Sequence, residues 1–213
     1  MSTGLDLREM PDTLRTRLEG FDSIVSWYGS KWPEFRDALL AINPNCEFHA
    51  AIPPADYEGH ATDFFAQQVG APLGLIPRIR VEHARQRNAI AIHPFSGSKK
   101  KNWPLERYRE LAGQLGCEID WLAGPEEDLP GAKRFDDLAD LAQFIAGARM
   151  YIGNDSGITH LAAAVGVKTM AIFLESDPSV WAPRGGNVRV LRNPTNVQEA
   201  TEAANRLLDW RSS

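Results

Sequence analysis

The stretch at 151–167, YIGNDSGITHLAAAVGV, changes character at its middle. Tyr151 and Ile152 read as the end of a buried strand, and Leu161, Ala162, Ala163, Ala164 and Val165 as a buried helix face. Between them stand Asn154, Asp155, Ser156 and Gly157, followed by Thr159 and His160. A strand, a polar joint and a helix make one step of a parallel α/β sheet, and such sheets bind ligands beyond the carboxyl ends of their strands. The helix that opens at this joint has unpaired N–H groups, and its dipole favours an anion. Gly157 carries no side chain to keep a phosphate away, and His160, three residues along, looks back toward the same spot. A structural alternative stands beside this: Asp155 or Ser156 caps the helix, and His160 is an ordinary satisfied residue.

The surrounding sequence repeats the pattern. AIAIH (89–93) is an apolar strand, and PLERYRELAGQL is a helix with Pro104 suited to its first turn. CEIDWLAG (117–124) is a strand, LADLAQFIAGA (138–148) a helix, and MYIG a strand. The helix GITHLAAAVG stops at Gly166, TMAIFL (169–174) and VRVLRN are strands, and Asn196 caps a final amphipathic helix, TNVQEATEAANRLLDW. Strands alternating with helices of this length define a parallel sheet covered on both faces, a Rossmann-like α/β domain.

Two further loops leave the same edge of that sheet. PFSGSKKKNWP (94–104) offers Ser96, Gly97 and Ser98 as small donors, and Lys101 as a mobile ammonium ahead of a helix. The composition suits a phosphate, although the Gly-x4-Gly-Lys spacing of a Walker motif is absent. Taken alone, the three lysines also fit a solvated face. GPEED (124–128) presents Glu126 as an acceptor for hydroxyl or amino groups. Three polar loops on one rim suit a diphosphate flanked by a nucleoside and a polyol.

The first 80 or so residues are less regular. DSIVSWYG (22–29) and CEFHAAIP read as strands, WPEFRDALLAI as a helix, and HATDFFAQQVG as a helix stopped by Gly70. The stretch APLGLIPRIRVEHARQRN, with two prolines and four arginines, is the candidate linker. The division expected is a less regular α/β unit over 1–80 and a Rossmann-like domain, suited to a nucleotide diphosphate, over 81–213.

With 213 residues, 43% of them hydrophobic, the chain has material for a substantial core. A net charge of −5 disfavours a general nucleic-acid binder. The two cysteines, Cys46 and Cys117, have no metal-site spacing, which fits a reduced compartment and no metal. MSTGLDLREMPD has no signal-peptide pattern, and the apolar run around 161–174 is interrupted by Lys168. A cytoplasmic protein with no transmembrane segment is expected, with peripheral contact at the inner membrane face left open.

IHPFSGSKKKNWPLERY, LAGPEED and YIGNDSGITHLAAAVGVKTMAIF, followed by DPSVWAPRG, resemble glycosyltransferase family 9, the heptosyltransferase type. The resemblance implies a GT-B architecture, an ADP-heptose-like nucleotide-sugar donor, inversion at the anomeric carbon, and a saccharide or glycolipid acceptor, without a cofactor. It implies that Lys101 holds donor phosphate or sugar oxygens, and that Ser96 and Gly97 line the diphosphate. Glu126 would sit by the ribose or base, Asp155 would bind sugar hydroxyls, and Ser156 and Gly157 would meet the diphosphate with His160 in support. The family's opening strand and glycine-rich loop, with its acidic residue, have no counterpart here, so the resemblance implies a chain lacking the first part of its acceptor domain. No catalytic base is named among Asp22, Asp56, His60 and Asp63. Two other readings stay open: a non-catalytic nucleotide-sugar-binding remnant, or half of an assembly completed by a partner chain, a homodimer included. A nucleotide-sugar epimerase of similar architecture fits the NDSG-x2-HLAAA pattern poorly.

Overall fold

The computed structural model describes residues 10–82 and 84–209. The opening residues 1–9, on which the signal-peptide reading rests, His83 of the linker and Trp210 of the last helix lie outside the described residues. The chain divides into two compact units, the first ending at Gly74 and the second beginning at Leu75.

The first unit holds α1 (Asp12–Glu19), β1 (Ile24–Ser26), α2 (Pro33–Ile42), β2 (Cys46–Phe48) and α3 (Ala61–Gln68). β1 and β2 pair in parallel, with Ile24 opposite Cys46 and Ser26 opposite Phe48. Helix α1 was not legible because it buries no residue and so carries no periodic apolar stripe. Asn43 is buried and stitches this unit together. Its Nδ2 donates to the carbonyls of Phe21 (2.7 Å) and Leu18 (3.2 Å), while its Oδ1 accepts from Asn45 N–H at 2.9 Å.

The second unit is built of β3 (Ala89–His93), α4 (Leu105–Gln114), β4 (Glu118–Trp121), α5 (Leu138–Ala146) and β5 (Met150–Asn154). It continues through α6 (Gly157–Ala164), β6 (Thr169–Phe173), α7 (Pro178–Trp181), β7 (Val188–Arg192) and α8 (Val197–Asp209). All five strands are parallel, in the order β4-β3-β5-β6-β7. The strands β3, β5 and β6 are buried throughout, as their unbroken apolar runs require.

Side chains alternate across these strands with period two. Ile90, Ile92, Met150, Ile152, Met170 and Ile172 face one layer, where Tyr108 and Leu111 of α4 and Ala200, Ala204 and Leu207 of α8 complete a core. Ala91 and Tyr151 face the other, with Ile145 of α5 and Ala162 of α6. The expected cap of the last helix is present: Asn196 Oδ1 accepts from Glu199 N–H at 3.0 Å. Gly166 ends α6 at φ +87, a backbone conformation that glycine adopts without strain. Pro104 sits one position before the first helical turn of α4 rather than inside it. Arg87 of the arginine-rich stretch is structural. It donates through Nε to Asp120 at 3.1 Å and through Nη2 to Phe144 O at 2.9 Å, and its guanidinium lies 3.7 Å from the Phe144 ring centre.

Asn154 continues the even-numbered row of β5, so its side chain enters the α4 layer rather than the cleft. It is fully buried. Its Oδ1 accepts from Trp103 N–H and from the Tyr108 hydroxyl, both at 2.9 Å, and its Nδ2 donates to Pro94 O at 2.8 Å. One amide thus holds both ends of the loop that follows β3. Replacing it by alanine strands two donors and one acceptor in a dry interior, at about 1–3 kcal/mol for each unsatisfied group. Asn154→Ala is expected to cost on the order of 3 kcal/mol and to lower Tm by roughly 10 °C in calorimetry; a loss under about 1 kcal/mol contradicts the role.

Candidate functional site

The strand order reverses at β3, whose neighbours β4 and β5 receive the chain on opposite sides. A crevice therefore opens beyond the carboxyl ends of β3 and β5, where the loops that follow them part. The β3 loop, drawn in by Asn154, ends in a single 3-10 turn at Lys99–Lys101 that the sequence did not reveal. Lys101 Nζ lies 2.6 Å from Asp155 Oδ2 across this crevice. The carboxylate is buried, with 8% side-chain exposure, while the lysine side chain retains 36%. The Ser176 hydroxyl, from the loop after β6, donates to the same Asp155 oxygen.

Asp155 does not cap α6. Ser156 does, its hydroxyl accepting from Thr159 N–H. Thr159 is buried and ties the turn down, donating to Asn154 O and meeting the Tyr151 hydroxyl at 3.3 Å. Burial pushes the Tyr151 and Tyr108 phenols above their usual range, so both remain protonated donors. The N–H groups of Gly157 and Ile158 precede any helical acceptor and belong to the unpaired first turn.

A cleft of about 420 Å³ runs along these groups, lined by Gly97, Ser98, Lys101, Asp155, Ser156, Gly157 and His160. Six of the eight residues singled out in the sequence meet there. Ser96 lies outside the lining, since its hydroxyl is spent inside its own loop on Ser98 O (2.9 Å) and Asn102 Oδ1 (2.7 Å). Glu126 is exposed and lines neither this cleft nor its neighbour.

The loop after β4 uses Glu127 instead. Its Oε2 meets His93 Nε2 at 2.9 Å and accepts from Gly124 N–H at 2.5 Å. A turn brings this about, Glu127 N–H donating to Gly124 O at 3.2 Å. Beside it lies a second pocket of about 160 Å³, walled by Leu122, Phe135, Leu138, Leu141 and Ile158, with His93, Gly124, Pro125 and Lys133 also in its lining. One end of this rim is thus charged and the other mostly apolar. His93, Glu127 and Ser176 escaped the sequence reading; only the position of His93 at the end of an apolar strand pointed to it. Among the described residues no cluster of three or more His, Cys, Asp or Glu is arranged to hold a metal ion.

The profile of glycosyltransferase family 9 (heptosyltransferase) matches residues 60–210. The chain belongs to this family. Lipopolysaccharide heptosyltransferase 1 of Escherichia coli K12 is 25% identical over 195 residues, covering 78% of this chain and 59% of that protein. Lipopolysaccharide heptosyltransferase 1 of Pseudomonas aeruginosa PAO1 is 34% identical over 102 residues, covering 40% of this chain and 28% of that one. The chain thus spans about 59% of the length of the Escherichia coli relatives. Among solved structures, the family 9 glycosyl transferase of Veillonella parvula DSM 2008 superposes with a TM-score of 0.71 at 16% identity, over 98% of this chain and 80% of that one. Escherichia coli heptosyltransferase WaaC with ADP gives 0.67 at 17% identity, over 92% and 76%. The fold is accordingly the α/β, GT-B-like fold of these enzymes.

Gly157 is exposed, and a Cβ placed on it meets nothing within 4 Å. A side chain there projects into the cleft without straining the helix. Gly157→Leu is expected to keep Tm within about 2 °C of the parent, leucine being the better helix former. A fall in Tm of more than about 5 °C in calorimetry contradicts an open, unstrained position at Gly157.

Proposed function

We propose that this chain is the nucleotide-sugar-binding part of a glycosyltransferase that moves a heptose-like sugar from an ADP-type donor to a saccharide or glycolipid acceptor, with inversion. One observation carries the reading: a lysine, a buried carboxylate and an open helix N-terminus share one cleft at the strand-order reversal. The diphosphate lies along Gly97, Gly157 and the Lys101 ammonium. The apolar pocket beside Glu127 takes the base, and Glu127 accepts from the ribose hydroxyls. Asp155 turns to the hydroxyls of the donor sugar, with Ser176 keeping its carboxylate in place.

In the reaction an acceptor oxygen forms a bond to the anomeric carbon from the face opposite the diphosphate. The bond from that carbon to the phosphate oxygen breaks, and the electron pair leaves with the nucleoside diphosphate. Negative charge grows on the leaving oxygen, where Lys101 and the first N–H groups of α6 stabilise it. The acceptor hydroxyl gives its proton to a general base within hydrogen-bond reach. No residue of the donor cleft is assigned that part. No helix among the described residues is long and apolar enough to cross a membrane. A glycolipid acceptor would bring the protein to the cytoplasmic face of a membrane.

The carboxylate makes the reading testable. Asp155 opposes a bare diphosphate electrostatically yet rewards a sugar that donates to it. Lys101→Ala is expected to weaken ADP binding at least about tenfold, the loss of one charge-assisted contact. Asp155→Asn is expected to bind ADP as well as the parent or better, while losing the added affinity for ADP-heptose. Isothermal titration of both ligands decides it. An equal loss for ADP and ADP-heptose in Asp155→Asn contradicts the assignment.

A further inference from the structure

His93 closes β3 on the face that Ala91 takes, and its side chain keeps only 8% exposure. Its Nε2 lies 2.9 Å from Glu127 Oε2, while its Nδ1 is buried with no hydrogen-bond partner among the described residues. An ionised carboxylate only accepts, so the proton of a neutral imidazole sits on Nε2 and Nδ1 is left bare. A buried nitrogen without a partner costs stability, and an apolar side chain would fill the same space without that cost. The one bond that offsets it is the bond to Glu127.

The turn that carries Glu127 is clamped at both ends by Arg134. Its Nε donates to Gly124 O at 3.2 Å and its Nη2 to Glu127 O at 2.7 Å, while Glu127 N–H closes the turn onto Gly124 O at 3.2 Å. Gly124 N–H supplies a second donor to the carboxylate, at 2.5 Å, and it too goes to Oε2. Both donors therefore fall on one oxygen. Oε1 makes no hydrogen bond among the described residues, and the side chain is 26% exposed.

The two oxygens of one carboxylate thus have different surroundings. With Oε2 tied to a strand end and to a turn, rotation about the last side-chain bond is stopped and Oε1 is held in one direction. His93 also lines the apolar pocket of about 160 Å³, so the same ring touches that pocket and fixes the charge beside it. A charged acceptor held in place before a ligand arrives spares the ordering cost of binding. It also discriminates against a ligand that lacks the matching hydroxyl, since the acceptor is then left without a donor.

We propose that His93 is a positioning residue for nucleotide selection: its Nε2–H pins one oxygen of Glu127 so that the other meets the ribose hydroxyls, and the site thereby prefers a ribonucleotide to a deoxyribonucleotide. Naming ribose as the group that Oε1 meets rests on the donor reading above; the pinned carboxylate does not. His93 itself touches no hydroxyl and acts only through Glu127. Without the ring, Gly124 N–H alone holds the carboxylate, which is free to turn toward solvent.

The test uses the full chain, with nitrogen NMR of its histidine rings and calorimetric titration of ADP, 2′-deoxy-ADP and 3′-deoxy-ADP. In the parent the His93 proton is expected on Nε2, and ADP is expected to bind at least about tenfold more tightly than the weaker deoxy analogue. His93→Leu, which fills the space without a donor, is expected to bring that preference below about threefold and to leave the weaker analogue within about twofold of its parent affinity. His93→Gln, whose amide N–H can replace Nε2–H, is expected to restore the preference to within about threefold of the parent. A merely structural histidine would move all three affinities together and would not separate glutamine from leucine. Binding of the deoxy analogue certifies the fold of each variant, and the ring proton is read in the parent, where no variant has to fold. A bare Nε2, a preference kept in His93→Leu, or one lost in His93→Gln overturns the role. No ADP binding by the parent sinks the donor reading and the ribose selection with it; ADP binding without a ribose preference sinks the selection alone.

Discussion

The crevice of the second unit depends on the side-chain amide of Asn154. It stands at the end of the central strand with three buried hydrogen bonds, to Trp103 just ahead of α4, to Tyr108 in its first turn, and to Pro94 just past β3. Its bonds fix the β3 loop against β5 and so help bring Lys101 to a residue 54 positions away. The polar joint in the middle of an apolar stretch thereby divides its labour. Asn154 faces inward and holds, Asp155 lines the crevice and pairs with Lys101, Ser156 caps, and Gly157 stays open.

A carboxylate inside a cleft read as holding a diphosphate calls for a physical reason. Lys101 and Asp155 neutralise each other at 2.6 Å. A diphosphate brings more negative charge than one carboxylate and adds the helix N-terminus as a second attraction, so it competes well for the ammonium. In the proposed complex Asp155 would be left buried beside Ser176, and the hydroxyls of a donor sugar would satisfy it. That coupling would favour a sugar-bearing nucleotide over a bare one, which a lysine alone does not do.

The second unit was legible because its central strands β3, β5 and β6 are buried on both faces. Continuous runs such as AIAIH and TMAIF, separated by amphipathic helices, admit few other folds. Side-chain choice within loops was not legible. Glu126 and Glu127 are equivalent in a sequence, and only the turn closed by Gly124 decides which of them reaches His93. Ser96 has phosphate-cradle chemistry but spends its hydroxyl within its own loop. Ser176 sits after a different strand, and only strand order brings it to Asp155. The first unit offered weaker signals, its strands being three residues long and its first helix burying nothing.

The most direct measurement is a crystal structure of the chain with ADP. The account predicts the diphosphate in the crevice beyond β3 and β5, with Lys101 Nζ moved off Asp155 to about 2.8 Å from a phosphate oxygen and Gly157 N–H at similar range. ADP bound elsewhere, with the Lys101–Asp155 pair still closed, would contradict it.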